Sequence, residues 1–455
     1  MNKKTETIRD MTTGNIPRMM ITFALPFMLA NLLQALYSVV DMAVVGQFLG
    51  SVGLSATSVG GQITNFLTLT GVAIGNAGQI LVGQMVGAKD RDGMAGAISS
   101  LMRLVLIIGI AFTVAGLLVY PYALQWLNTP AEAMADAKDY LRVCCYGIFF
   151  IFAYNAICGV LRGIGDSKRP LIFVAVSAVV NLVLDILFVA VFHWGVWGAA
   201  VATVIGQGVS FVAALVYLLR KKEELGVPKL LSGGRIEGMM KLLLTLGAPL
   251  ALMQVCIHIT MLIVTAYVNE YGLVATAVNG VGNKLYSVIS VVSGAMVSAT
   301  ATMVAQNMGA KKPERAEKAV WTGLAIDTVV AVLISVVAWF WPEQVFGLFN
   351  KEPEVLTMAR EYMHISILLY VSFNLMTPLL GLYNGVGAVK QSFLVSVLDS
   401  VVARLGLSFL FAWGCHMGVN GFFLGTALAG WVSVFIPGAY FLSGKWKNKK
   451  LLAEK

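Results

Sequence analysis

The chain has 455 residues, of which 58% are hydrophobic and only 12% charged. A soluble domain of this length could not shield so much apolar surface from water, so the composition excludes a soluble fold and leaves an all-α polytopic membrane protein. The 32 Lys and Arg outnumber the 23 Asp and Glu, for a net charge of +9, but the bases sit in short loops between apolar runs, as orientation signals do, and not in a nucleic-acid patch.

About 20 apolar residues cross a bilayer. By that ruler twelve spans follow one another, over 17–40, 54–80, 95–119, 136–159, 171–193, 197–220, 242–266, 274–302, 320–341, 362–384, 393–414 and 419–442. In the first span Asn31, Gln34, Ser38 and Asp41 recur at helical spacing, which gathers them into one polar stripe on an otherwise apolar rod. An ionisable group facing lipid costs several kcal/mol, so the stripe must face other helices or a wet cavity. Pro26 lies about 22 Å along the helix axis from Asp41 at 1.5 Å per residue, and its missing N–H allows a kink there. Thr129-Pro130-Ala131-Glu132 reads as a capping box opening the fourth span. Trp341-Pro342 closes the ninth. The five cysteines, Cys144, Cys145, Cys158, Cys256 and Cys415, show no metal or disulfide spacing and read as small buried hydrophobes.

Lys and Arg set the orientation. With the N-terminus in the cytoplasm, the inside loops and tails carry 25 of the 32 basic residues, while the outside holds Lys138, Arg142, Lys351 and Arg360. The expected topology has both termini inside.

The chain also repeats itself. Gln84-Met-Val-Gly87-Ala88-Lys89 returns as Gln306-Asn-Met-Gly309-Ala310-Lys311, and Gly163-Ile-Gly165-Asp-Ser-Lys168 returns as Gly385-Val-Gly387-Ala-Val-Lys390. Pro26 matches Pro249 and Tyr140 matches Tyr362, always at an offset of 222 or 223. Each half holds six spans and so enters the membrane in the same direction. The expected fold is therefore two six-helix bundles related by a pseudo-two-fold axis along the membrane normal, with cargo between them. The boundaries expected are an N-lobe at 1–219, a cytoplasmic linker at 220–241 and a C-lobe at 242–455.

Four carboxylates lie well inside spans: Asp41, Asp185, Asp327 and Asp399. Asp185 shares a face of the fifth span with Asn181, one turn earlier. Asp41 and Asp185 fall at matched depth toward the outer side, and Thr203 in the sixth span and Tyr140 in the fourth can reach the same level. Such an oxygen-rich cluster can hold a small hard cation, or keep one Asp protonated until the cavity rehydrates; a structural polar network is the bland alternative. The second half does not copy it, because Ala403 and Leu407 stand where Asn181 and Asp185 do. It carries instead Lys284, Asp399 and Arg404 as buried charges, either an ion-pair network or a lining of the cavity. Asp327 shows no partner in the sequence.

The Pro26…Asp41-Met-Ala-Val-Val-Gly46 stretch, the Gln84…Gly87-Ala88 and Gly163-Ile-Gly165-Asp166-Ser-Lys168 loops and the duplicated twelve-span plan resemble the MATE (multidrug and toxic compound extrusion) family, in detail its MepA-like and DinF-like bacterial branch. The resemblance covers nearly the whole chain. It implies a Na⁺- or H⁺-driven antiporter expelling cationic amphipathic compounds, whose coupling site is Asp41, Asn181 and Asp185, with Tyr140 and Thr203 beside them and Na⁺ as one candidate ion. Another branch uses acidic residues in the seventh and tenth spans, which this sequence lacks. Asn31, Gln34 and Tyr37 are the expected cargo contacts and Pro26 the expected hinge.

The expected function is thus secondary multidrug efflux across the cell membrane by alternating access, with no catalysis, no cofactor and no obligate protein partner. One rival is a flippase for a lipid-linked saccharide, which would want a strongly basic cavity and often two further spans. A membrane prenyl- or acyltransferase would need clustered acidic metal motifs or an embedded His/Asp pair, and neither is visible.

Overall fold

The computed structural model describes residues 8–227, 230–231, 238–450 and 452. Lys3, Lys4, Lys229, Arg235 and Lys455, counted among the orientation signals, lie outside them, as does the middle of the expected linker. Among the described residues the chain is helical, with eleven helices long and apolar enough to cross a membrane. The first of these, Ile16–Ala88, is two spans joined across a kink at Gly50 (φ 67°, ψ −161°), so the twelve expected spans are all present. The conformation at Gly50 is one that only glycine adopts readily, which is why the break falls there. The chain is a multi-pass membrane protein of twelve spans in two six-helix bundles, and its outward faces carry exposed residues such as Leu118, Leu262 and Leu333.

Spans three to twelve run over Arg91–Trp126, Ala131–Gly163, Lys168–Val191, Gly195–Arg220, Met239–Asn269, Leu273–Gly309, Pro313–Phe340, Pro353–Gly385, Val389–Gly414 and Val419–Leu442. The first span continues well beyond residue 40 to the Gly50 kink, so Asp41 lies within a helix rather than at its end. The expected capping box does not form. Thr129 turns its hydroxyl back to the Leu124 carbonyl at 2.7 Å, and residues Ala131–Ala133 make a 3₁₀ turn with no side-chain cap. Thr129 satisfies the end of the preceding helix instead of the start of the next.

The contacts divide the chain into two units. One comprises the residues up to Asp10 with Leu25–Ala251, the other Met11–Ala24 with Leu252–Lys455. The sequence boundaries placed Met11–Ala24 in the first half; the structure packs this stretch with the second. Hydrogen bonds are the reason. The Met11 N–H donates to Gln306 Oε1 at 2.9 Å, Asn307 Nδ2 donates to the Met11 carbonyl at 3.2 Å, and Arg315 donates to the Thr13 and Gly14 carbonyls at 2.8 Å each. The division also passes through two helices beside their prolines: between Ala24 and Leu25 near Pro26, and between Ala251 and Leu252 near Pro249.

Within each unit the same contacts recur. A Cβ at Gly163 would stand 2.9 Å from the Gln79 carbonyl oxygen and 3.0 Å from Val82; one at Gly385 would stand 2.8 Å from the Ala301 oxygen and 2.6 Å from Val304. Those pairs are 222 residues apart. The left-handed turns repeat as well, at Lys89 and Lys311 (both φ 56°) and at His193 and His416 (both φ 54°). The duplication read from the sequence is thus a duplication of backbone and packing.

Candidate functional site

The fifth span presents Asn181 and Asp185, only 2% and 1% exposed, into the first unit. Asn181 packs against Gly206 of the sixth span, whose missing side chain leaves it room. Immediately after Asp185 the helix widens into π-helical turns over Ile186–Val191, a distortion that often marks functional positions. Asp41 reaches the same place from the first span, and its carboxylate lies within hydrogen-bond range of that of Asp185. Asp41 Oδ1, both Asp185 oxygens and both polar ends of Asn181 are buried and meet no hydrogen-bond partner of opposite kind.

Two carboxylates so placed are acceptors facing acceptors. Burying them in that state costs several kcal/mol, and a proton shared between them or a small cation lying on them removes that cost. The residues present fit either: two carboxylates and the Asn181 carbonyl form a hard oxygen set. Among the described residues no three His, Cys, Asp or Glu side chains gather, so a transition-metal centre has no ligand set.

Of the remaining predicted residues, Tyr37, Thr203 and Tyr140 lie near the pair, while Asn31 and Gln34 lie further along the first span. The Tyr37 hydroxyl, expected to face cargo, shares a hydrogen bond with Thr203 and stands beside both carboxylates. Thr203 in turn donates to the Ala199 carbonyl at 3.0 Å. Tyr140 is 6% exposed and lies across Gly60, where a Cβ would be 2.5 Å from its ring. Gln34 and Ser38 are exposed and Asn31 and Asp41 half-buried; at the Asp41 end the Oδ1 oxygen is itself buried. Sequence reasoning missed Cys144 and Thr64. Cys144, one turn after Tyr140, is hydrogen-bonded to both Tyr140 and Thr64. Its helical spacing from Tyr140 was the available signal, overlooked because a buried cysteine ordinarily packs as an apolar side chain.

In the second unit the expected trio of buried charges is a pair. Arg404 Nη2 donates to Asp399 Oδ1 at 3.1 Å, and Ser433 Oγ donates to Asp399 Oδ2 at 2.6 Å. Lys284 is exposed, contrary to expectation. It lies about 200° around the helix from the buried Gly282, on the face that the packing of the second unit leaves open. Asp327 does have a partner: Thr377 Oγ1 donates to its Oδ2 at 2.6 Å.

A model of the MatE family matches residues 26–187 and again 249–410, one match per repeat. A probable multidrug resistance protein of Bacillus subtilis, YpnP, is 30% identical over 448 residues, covering 98% of this chain and 99% of that protein. A FAD transporter of Shewanella oneidensis is 23% identical, covering 90% of each. The crystal structure of a MATE protein in a bent conformation superposes with a TM-score of 0.90 at 21% identity, over 97% of this chain and 98% of that one. The chain belongs to the MatE family, whose members are membrane transporters and not enzymes.

Proposed function

We propose that this chain is a secondary antiporter of the cell membrane that exports small cationic or amphipathic compounds in exchange for Na⁺ or H⁺. The observation that carries the reading is the facing pair Asp41 and Asp185, whose buried oxygens are unmatched beside Asn181. An ion arriving there cancels the repulsion between the carboxylates; an ion leaving restores it. Such a site drives transport only if the two end states bind the ion unequally, and a site built from two separate helices, the first and the fifth, changes its affinity whenever one helix moves. Pro26 supplies a place to bend, because its ring removes a helical hydrogen bond where the first span passes from one unit to the other. Gln34 and Asn31 stand on the accessible part of the same helix and are the cargo contacts in this reading. Both termini face the cytoplasm. Neither an organic cofactor nor a protein partner enters the cycle. The YpnP likeness supports drug-like cargo.

The test is ethidium efflux from vesicles with Na⁺ and pH gradients imposed separately. Wild type is expected to respond to one gradient and name the ion, and Asp41→Asn and Asp185→Asn to lose the response while still reaching the membrane. Gradient-driven efflux at full rate in both variants would sink the mechanism.

A further inference from the structure

The second unit holds a cavity of about 30 Å³ lined by Val264, Tyr286, Tyr362, Ser366, Arg404 and Thr426 among others. Moved back by the 222–223 offset, these positions other than Arg404 are Asp41, Thr64, Tyr140, Cys144 and Thr203. The cavity is therefore the repeat counterpart of the carboxylate site, formed at the same place in the other bundle. Its charge is different. Val264 and Leu407 occupy the positions of Asp41 and Asp185, and the lining contains no carboxylate. The one charged group on the wall is the Arg404 guanidinium, only 8% exposed.

That guanidinium is incompletely used. One arm is on Asp399, whose second oxygen is held by Ser433. Nη1 meets only the Met261 sulfur at 3.0 Å, a weak acceptor, and Nε meets no acceptor. Thr426 Oγ1, on the same wall, is likewise buried and unmatched. The placement depends on a local distortion. Residues Leu398–Arg404 form π-helical turns that bring Asp399 and Arg404 together five residues apart, whereas the matching residues 176–182 lie in the regular α-helix Lys168–Asp185. At the matching residues the first unit has no such turns, its own π-helical stretch beginning only at Ile186, so this distortion coincides with the arginine.

We infer that this cavity is a binding site for a compact, singly charged anion, either a free halide or a carboxylate group presented by the cargo. The unused guanidinium N–H groups and the Thr426 hydroxyl supply donors; the neutral wall offers no rival negative charge. Asp399 already balances the arginine's formal charge, so the site offers free donors without net positive charge, which disfavours a doubly charged anion more strongly than a singly charged one. A volume of about 30 Å³ holds one small body, since a water needs roughly 10–15 Å³ by this kind of measure. The two repeats would then bind opposite charges at equivalent places. This site stands independently of the coupling proposal, since anion binding at Arg404 does not require an ion at Asp41 and Asp185.

The experiment is thermal unfolding of the purified full-length protein in sodium bromide, sodium formate and sodium gluconate at equal ionic strength, gluconate being too bulky to enter. The expected result is a saturable rise in Tm with bromide, formate or both, relative to gluconate. Bromide alone identifies a free halide, formate alone a carboxylate. Arg404→Gln alone leaves Asp399 buried and unpaired, which opposes folding, so the deletion variant is the double change Arg404→Gln with Asp399→Asn, expected to lose the rise. Thr426→Val keeps the ion pair and is expected to raise the half-saturating concentration about fivefold, as the loss of one hydrogen bond does. Identical Tm in all three salts for wild type, a rise that persists in the double variant, or an unchanged midpoint in Thr426→Val would each overturn the inference.

Discussion

At the scale of residues, the carboxylate pair derives its properties from what does not surround it. Among the described residues neither Asp41 nor Asp185 has a cationic neighbour in hydrogen-bond contact; the group within reach of each carboxylate is the other, with the Tyr37 hydroxyl close by and Asn181 one turn from Asp185. This distinguishes the two ions. An amide carbonyl can ligate Na⁺ but adds nothing to a proton held between two carboxylates. If Na⁺ is the driver, Asn181→Ala should raise the Na⁺ concentration for half-maximal efflux by about tenfold, the loss of roughly 1.4 kcal/mol; if H⁺ is, the same variant should leave the pH profile in place. Efflux assays across Na⁺ and pH titrations separate the two. Tyr37→Phe removes the partner of Thr203 while keeping the ring. Efflux in that variant is expected to slow several-fold, in line with one net hydrogen bond of about 1 kcal/mol, with protein levels unchanged on immunoblots.

At the scale of elements, the spans approach each other through glycine. A Cβ at Gly159 would lie 2.0 Å from the Gly75 carbonyl oxygen, backbone against backbone, whereas one at Gly61 would meet nothing within 4 Å. Neither helix can yield a flexible side chain at the first position, so Gly159→Ala should cost about 1–3 kcal/mol as overpacking does. A Tm lowered by several degrees relative to Gly61→Ala, measured by unfolding in detergent, is the expected outcome. Gly50 works through conformation rather than space, since a Cβ there meets nothing within 4 Å. Its positive φ with ψ near 180° disfavours any side chain by about 1–3 kcal/mol. Gly50→Ala is accordingly expected to be destabilising despite the open surroundings, and the spans on either side of it would be the first to lose protection in hydrogen exchange.

At the scale of the whole molecule, the repeat carries the architecture, and the two halves depart from it in charge. Both bundles place a tyrosine across a glycine, Tyr140 over Gly60 and Tyr362 over Gly282, so the packing of the two sites is conserved between halves while their charge is not. Orientation has a direct test in the native cysteines. Cys415 is exposed, while Cys144, Cys145 and Cys158 are buried. With both termini in the cytoplasm, Cys415 lies in an outer loop, and a membrane-impermeant maleimide should label intact cells at that residue and lose the label in Cys415→Ser. Labelling that requires cell lysis would reverse the topology.

Composition, span length and the 222–223 offset were enough to identify a duplicated twelve-span membrane protein, because apolar run length and periodicity are properties of the chain itself. The carboxylate pair was legible for the same reason: Asp41 and Asp185 stand at equal depths in helices of known direction. Depth, however, does not say which helix faces meet. Packing alone set the Tyr37 hydroxyl on Thr203, brought Cys144 and Thr64 beside Tyr140, gave Asp327 its Thr377 partner and left Lys284 exposed. Packing also carried Met11–Ala24 into the second unit, through side-chain hydrogen bonds spanning some 300 residues of sequence. Spacing within a helix is local and readable; the contact between two helices depends on side-chain shape across the whole bundle, and only the folded molecule decides it.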